Sequence, residues 1–204
     1  MSSVLRALGL SLLLNLFAST TTFAAEAPRV KLETSMGDIV LTLDADKAPK
    51  SVANFLDYVK RGYYSGMVFH RVIPGFLIQG GGFDVKLKRK PVKPSISNES
   101  KNGLQNLPGT IAMARAADPN SANSEFFINL QHNVELDYPS FDGWGYAVFG
   151  QVSEGLDVVE KIASVPTGSS GKFPRDVPKT PVIINKAVLL SPAPNTPPEE
   201  SRQP

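Results

Sequence analysis

The chain has 204 residues, 42% of them hydrophobic and 20% charged, which is an ordinary balance for a soluble globular protein and far from that of a disordered one. Its formal net charge is +2, and without the first 24 residues, where Arg6 is the only charged side chain, 20 basic groups face 19 acidic ones. Such a surface offers nucleic acid or anionic lipid no general attraction. Cysteine is absent and histidine occurs only at His70 and His132, which excludes disulfides and thiol catalysis and argues against a four-ligand zinc site. No metal or cofactor is expected.

Residues 1–24 read as a targeting segment. Arg6 supplies a thin positive region, residues 8–17 form a short apolar run interrupted by Asn15, and Thr22 and Ala24 fit the small-x-small cleavage rule. Cleavage is expected after Ala24, with Ala25 the alternative. The run falls short of the roughly 20 residues that span a bilayer. The mature protein is therefore expected outside the cytoplasm, with no membrane insertion once the leader is removed.

The domain proper is assigned to residues 25–190. Val30 and Leu32 alternate with polar neighbours before Ser35-Met36-Gly37-Asp38, and Ile39, Leu41 and Leu43 alternate after it, the pattern of a β-hairpin. Pro49 then opens a helix whose apolar residues Val52, Phe55, Leu56 and Val59 recur at i, i+3, i+4 and i+7, and Gly62 suits its C-terminal end. Short apolar runs follow at 67–72, 76–79, 110–114, 126–130 and 147–152. A second helix is predicted over 155–164 with Leu156, Val159 and Ile162 inward, and a last strand over 182–190. Many short strands and two helices predict a mainly β protein, a closed or nearly closed antiparallel barrel. Residues 86–94, basic and punctuated by proline, read as an exposed loop. Residues 191–204, with five prolines and no periodicity, read as a disordered tail.

Candidate chemistry concentrates in residues 69–81, FHRVIPGFLIQGG. Pro74-Gly75 is a strong turn signal, and if the two arms fold back, Arg71 and Gln79 share a face beside Phe76. A polar donor then stands next to an apolar pocket, as in many small-ligand sites. Gly80-Gly81-Gly82 lacks the Lys-Ser/Thr of a phosphate loop and reads as close backbone packing or a bulge. No nucleophile motif accompanies His70, which disfavours a hydrolase.

This stretch is similar to the signature of the cyclophilins, and further blocks follow in that family's order: GTIAMAR at 109–115, NSEFFINL at 123–130, Leu136-Asp137, and GYAVFGQV at 145–152. The resemblance spans about residues 30–190, and the compact loop after Gly82 resembles the bacterial exported branch. It implies an eight-stranded antiparallel barrel capped by two helices, and peptidyl-prolyl cis/trans isomerase activity that assists the folding of exported proteins. The implied location is the periplasm, with secretion the alternative, and the implied state a monomer. The implied partners are proline-containing segments of unfolded or partly folded proteins. Carried across, the family's roles make Arg71 the catalytic donor and Gln79 the group that orients it, with His70 in support. Phe76, Leu77, Phe127 and Leu136 would line the proline pocket. Ala114 and Arg115, with His70, would edge the peptide groove, and Tyr146 takes a pocket position where many relatives have His.

Two residues depart from the family pattern. Glu135 stands where many cyclophilins carry a Trp that contributes to cyclosporin binding, so the resemblance does not extend to strong drug sensitivity. Glu125 stands where Gln usually precedes the paired Phe, and a carboxylate there is expected to pair with Arg71 or Arg115. Besides the enzyme, a peptide-binding holdase with a vestigial isomerase site fits the same pattern.

Overall fold

The computed structural model describes residues 26–190; the leader and the proline-rich tail lie outside them. The barrel strands are β1 (Arg29–Thr34), β2 (Gly37–Leu43), β3 (Met67–Ile73), β4 (Leu77–Asp84), β5 (Thr110–Met113), β6 (Phe126–Asn129), β7 (Val148–Glu154) and β10 (Ile183–Leu190). They close in the order β1-β10-β3-β4-β6-β5-β7-β2, with every pairing antiparallel. Closure removes the free strand edges that would otherwise template aggregation. The closed antiparallel barrel with two helices is what the strand pattern predicts, and its eight strands are what the family resemblance implies.

The first hairpin pairs Val30 with Leu41 and Leu32 with Ile39. Its turn is held by the Thr34 hydroxyl, which donates to the Gly37 carbonyl at 2.6 Å and accepts from the Met36 N–H at 3.1 Å. Helix α1 (Pro49–Lys60) starts on the proline, whose missing N–H is no loss in a first turn. Beyond its last turn Gly62 has φ of +65°, a left-handed conformation that glycine adopts without steric cost. Val52, Phe55 and Val59 bury the apolar stripe, and α1 lies against β10 while α2 (Leu156–Ala163) lies against β2. The core holds an aromatic cluster among aliphatic residues, with the fully buried Phe126 ring meeting Phe55 and Tyr64 edge-on at 5.6 Å and Phe69 at 6.1 Å.

Three features differ from the sequence reading. Leu156, predicted inward, is 50% exposed, and α2 buries Val158 beside the predicted Val159 and Ile162. Strand β4 is longer than the predicted 76–79 run, continuing through the three glycines to Asp84. At Gly81 (φ +80°) a side chain would collide with the Ser124 carbonyl and the Tyr64 ring, so the glycines mark close backbone packing as predicted. A hairpin of β8 (Thr167–Ser170) and β9 (Phe173–Pro178) also stands outside the barrel against β3. Its sequence, rich in Gly, Ser and Pro, has none of the alternation that marks a strand.

Because Phe126 is buried at the centre of this cluster, Phe126→Ala is expected to cost about 3–5 kcal/mol. Urea unfolding followed by tryptophan fluorescence measures it, and a cost near zero would show that the cluster contributes no packing energy.

Candidate active site

The site begins with an irregularity in β3. Phe69 pairs with Gly80 and Arg71 with Gln79, so two steps along β3 match one along β4 and His70 is the extra residue of a bulge. In a regular strand Phe69 and Arg71 would point the same way. The bulge instead lets both Phe69 and Val72 enter the barrel core while Arg71 turns to the outer wall.

From Arg71 a row of cross-strand partners runs across five strands: Arg71 with Gln79, Gln79 with Phe127, Phe127 with Ala112, and Ala112 with Val148. The row is polar at its β3–β4 end and apolar from β6 to β7. Leu77, Phe127, Ala112, Val148 and Leu136 form one buried apolar cluster, separate from the barrel core, with Phe76, Ala114 and Tyr146 packed at its margin. Adjacent phenylalanines thus divide as strand geometry requires, Phe126 to the core and Phe127 to the outer platform.

A buried amide network fixes the margins of this platform. Asn133 donates to the Phe76 carbonyl at 2.9 Å and to Asn129 at 2.6 Å, Asn129 donates to Asn106 at 3.2 Å, and Asn106 donates to Asp137 at 2.9 Å. Phe76 and the Leu136-Asp137 pair are therefore tied to the same set of interior groups. Arg115 is committed elsewhere: its side chain is 3% exposed, pairs with Asp142 at 2.7 Å, donates to the Gly145 carbonyl at 3.2 Å and stacks on Tyr146 at 4.5 Å. It anchors the loop beside the groove and presents no free cation to it.

At the polar end, Arg71 Nη1 donates to Gln79 Oε1 at 3.3 Å, and Gln79 Nε2 donates to Glu125 Oε2 at 3.0 Å. The guanidinium lies 5.9 Å from the Phe76 ring centroid. The expected pairing of Glu125 with Arg71 or Arg115 is corrected by the structure: Glu125 Oε1 pairs with Arg89 Nη2 at 2.7 Å. Arg89 belongs to the stretch read as a solvated loop, yet Lys90 there donates to the Tyr63 and Ser65 carbonyls and Lys93 pairs with Asp57. No spacing rule links Arg89 to Glu125, so no sequence signal pointed to the pair. Ala112 and Val148, also unassigned from sequence, could have been found by extending strand alternation outward from Phe127.

His70 does not edge the groove. It is 3% exposed, covered by Phe83 and by Phe173 of the outer hairpin, with Nε2 3.6 Å from Glu125. Burial lowers its pKa to about 4, against the opposing pull of Glu125, so the ring is neutral near pH 7.

With this arrangement established, its relatives identify the class. Residues 29–189 match the family model for cyclophilin type peptidyl-prolyl cis-trans isomerase/CLD. The chain is 46% identical over 190 residues to peptidyl-prolyl cis-trans isomerase A of Dickeya dadantii, covering 93% of this chain and 96% of the relative. It is 51% identical over 162 residues to peptidyl-prolyl cis-trans isomerase B of Escherichia coli, covering 78% and 98%. Among solved structures, a Cryptosporidium parvum cyclophilin type isomerase crystallised in the presence of the dipeptide Ala-Pro matches with a TM-score of 0.65 and 28% identity, covering 80% of this chain and 99% of that one. The chain belongs to the cyclophilin-type peptidyl-prolyl isomerase family. It is an enzyme of that class, a peptidyl-prolyl cis/trans isomerase.

The depressed histidine makes stability depend on pH. Above about 6.5 the ring is neutral in both states; below it the unfolded chain takes up a proton that the folded chain refuses until pH reaches about 4. Stability that is complete above pH 6.5 is thus lost on acidification, by about 3 kcal/mol across that window. Urea midpoints at pH 7 and pH 4.5 should differ much less in His70→Gln than in the wild type, and equal differences would remove His70 as the cause.

Proposed function

We propose that this isomerase acts on X–Pro bonds in unfolded or partly folded proteins outside the cytoplasm, with the periplasm as its compartment, and that Arg71 is its catalytic residue. The observation that carries the assignment is the row from Arg71 through Gln79 to Phe127, which sets a guanidinium beside an apolar platform.

Resonance gives the X–Pro amide a barrier of about 18–20 kcal/mol and an uncatalysed lifetime of about 10–100 s. Twisting the bond breaks the resonance and pyramidalises the proline nitrogen, leaving a lone pair that accepts a hydrogen bond. A guanidinium aimed there binds the twisted state better than either planar state, and only such differential binding accelerates the reaction. Phe76, Leu77, Phe127 and Leu136 receive the proline ring, with Ala114 and Tyr146 at the edge. Holding the ring leaves the preceding carbonyl to rotate. Gln79 aims the guanidinium, whose planar fork is preset for directed donation. The step moves no proton, because Arg71 donates throughout.

Proline isomerisation in a short X–Pro peptide, followed by NMR exchange, tests this reading. Arg71→Ala should lower kcat/KM by about 10²–10³, the value of one preorganised donor. Binding of peptide without faster exchange in the wild type would instead favour the holdase.

Support for the location comes from the pattern of residues 1–24. Expression of the full chain in a Gram-negative host should place in the periplasm a protein whose mass begins at Ala25, or at Glu26 if the alternative site is used. An intact Met1 in the cytoplasmic fraction would refute export.

A further inference from the structure

Glu125 is a nearly buried carboxylate, its side chain 11% exposed, placed where it touches the orienting amide but not the guanidinium. The amide of Gln79 has a donor end and an acceptor end. In the structure Oε1 accepts from Arg71 and Nε2 donates to Glu125. Turned over, the amide would set donor against donor at Arg71 and acceptor against acceptor at Glu125. An ionised carboxylate is acceptor-only, so it adds a second penalty against the turned state to the one at Arg71; a glutamine at position 125 could rotate its own amide and remove that second penalty.

That service has a condition. A carboxylate held out of water needs a compensating charge, and an unpaired one would attract the cation next along the chain of contacts, Arg71. His70 cannot compensate, since it is neutral near pH 7 and 3.6 Å away. Arg89 does, at 2.7 Å, with its guanidinium laid over the Phe83 ring at 4.6 Å. Gly82 completes the fit, because a side chain there would occupy the space of the Glu125 carboxyl group.

We infer that Glu125 and Arg89 act together as positioning residues, Glu125 fixing the orientation of the Gln79 amide and Arg89 keeping the Glu125 charge from drawing Arg71 out of the groove. The inference rests on the reading of Arg71 as the catalytic donor. It assigns to the loop after β4 a role in setting the rate, through residues that do not touch substrate.

The test is a double-mutant cycle in the full chain, read as kcat and KM on an X–Pro peptide by NMR line shape. Arg89→Gln should lower kcat about tenfold, within the coupling range of networked residues, because it leaves Glu125 uncompensated. Arg89→Lys, which keeps the charge, should lose less. Glu125→Gln alone should lose only about threefold, and the double variant should match it, so that removing the carboxylate rescues the loss of Arg89. Thermal midpoints of all variants are measured in parallel. A tether that only holds the loop would lower activity in step with the midpoint and show no rescue, and that result overturns the inference. So does an Arg89→Gln variant as active as the wild type. If Arg71→Ala leaves exchange intact, the underlying site reading fails; if it abolishes exchange while the cycle shows no coupling, the clamp alone is wrong.

Discussion

The bulge at His70 is the constraint on which the site depends. Strand β3 must supply Phe69 and Val72 to the barrel core and Arg71 to its outer wall. Strict alternation allows only one of Phe69 and Val72 to share the core face, and it would send Arg71 inward with Phe69. An unpaired guanidinium among Phe126, Phe55 and Phe69 would carry an intolerable desolvation cost. One extra residue resolves the conflict, and the residue spent on it is His70, which the β8–β9 hairpin then covers. The hairpin therefore has a physical task, to keep water from the bulge and from the neutral imidazole in it.

The other end of the row has its own register shift, where Ile111 pairs with Gly150 and Ala112 with Val148, so that Phe149 enters the core while Val148 joins the outer face. Phe127, Ala112 and Val148 are successive partners on one face, and Leu136 is brought over them by the Asn106–Asp137 contacts. Small and large residues alternate along this face. Ala112 leaves room beside the Phe127 ring, which Tyr146 closes edge-on at 5.7 Å. The platform is thus strand-borne and rigid, while its rim, residues 137–145, is a loop held by the Arg115–Asp142 pair.

Most of the barrel was legible in the sequence because short-range patterns encode it. The Val30–Leu43 alternation, the 3.6-residue period after Pro49 and the Pro74-Gly75 turn each reflect a local preference that tertiary packing reinforces. The Arg71–Gln79 pairing was legible for the same reason, since a tight turn fixes nearby register. What escaped depends on contacts distant in sequence. Arg89 meets Glu125 across 36 positions, Arg115 meets Asp142 across 27, and a basic residue in a polar loop carries no mark of its partner. The β8–β9 hairpin escaped because Thr167, Gly168 and Ser170 pair through their backbones with little side-chain burial. His70 was placed on the groove by carrying over the family's roles, whereas the bulge gives it an environment separate from that of Arg71.

The spacing of the row also bears on what it can hold. Neighbouring strands lie about 4.8 Å apart, so the β3 and β6 positions of Arg71 and Phe127 are roughly two spacings apart, with Gln79 between. An extended chain advances about 3.3–3.6 Å per residue, so two or three residues of peptide cover that distance. A ring seated on Phe127 therefore leaves the preceding amide short of the Arg71 backbone, and the side chain must reach back to meet it. Arginine has the length for this, lies beside the Phe76 ring on the way, and keeps donors to spare after its bond to Gln79. A lysine would reach as far but, as a flexible point charge, could not be aimed by a single amide. On the proposed reading of Arg71 as the donor, the need to aim it at that distance accounts for a polar end built as a chain of three side chains rather than one.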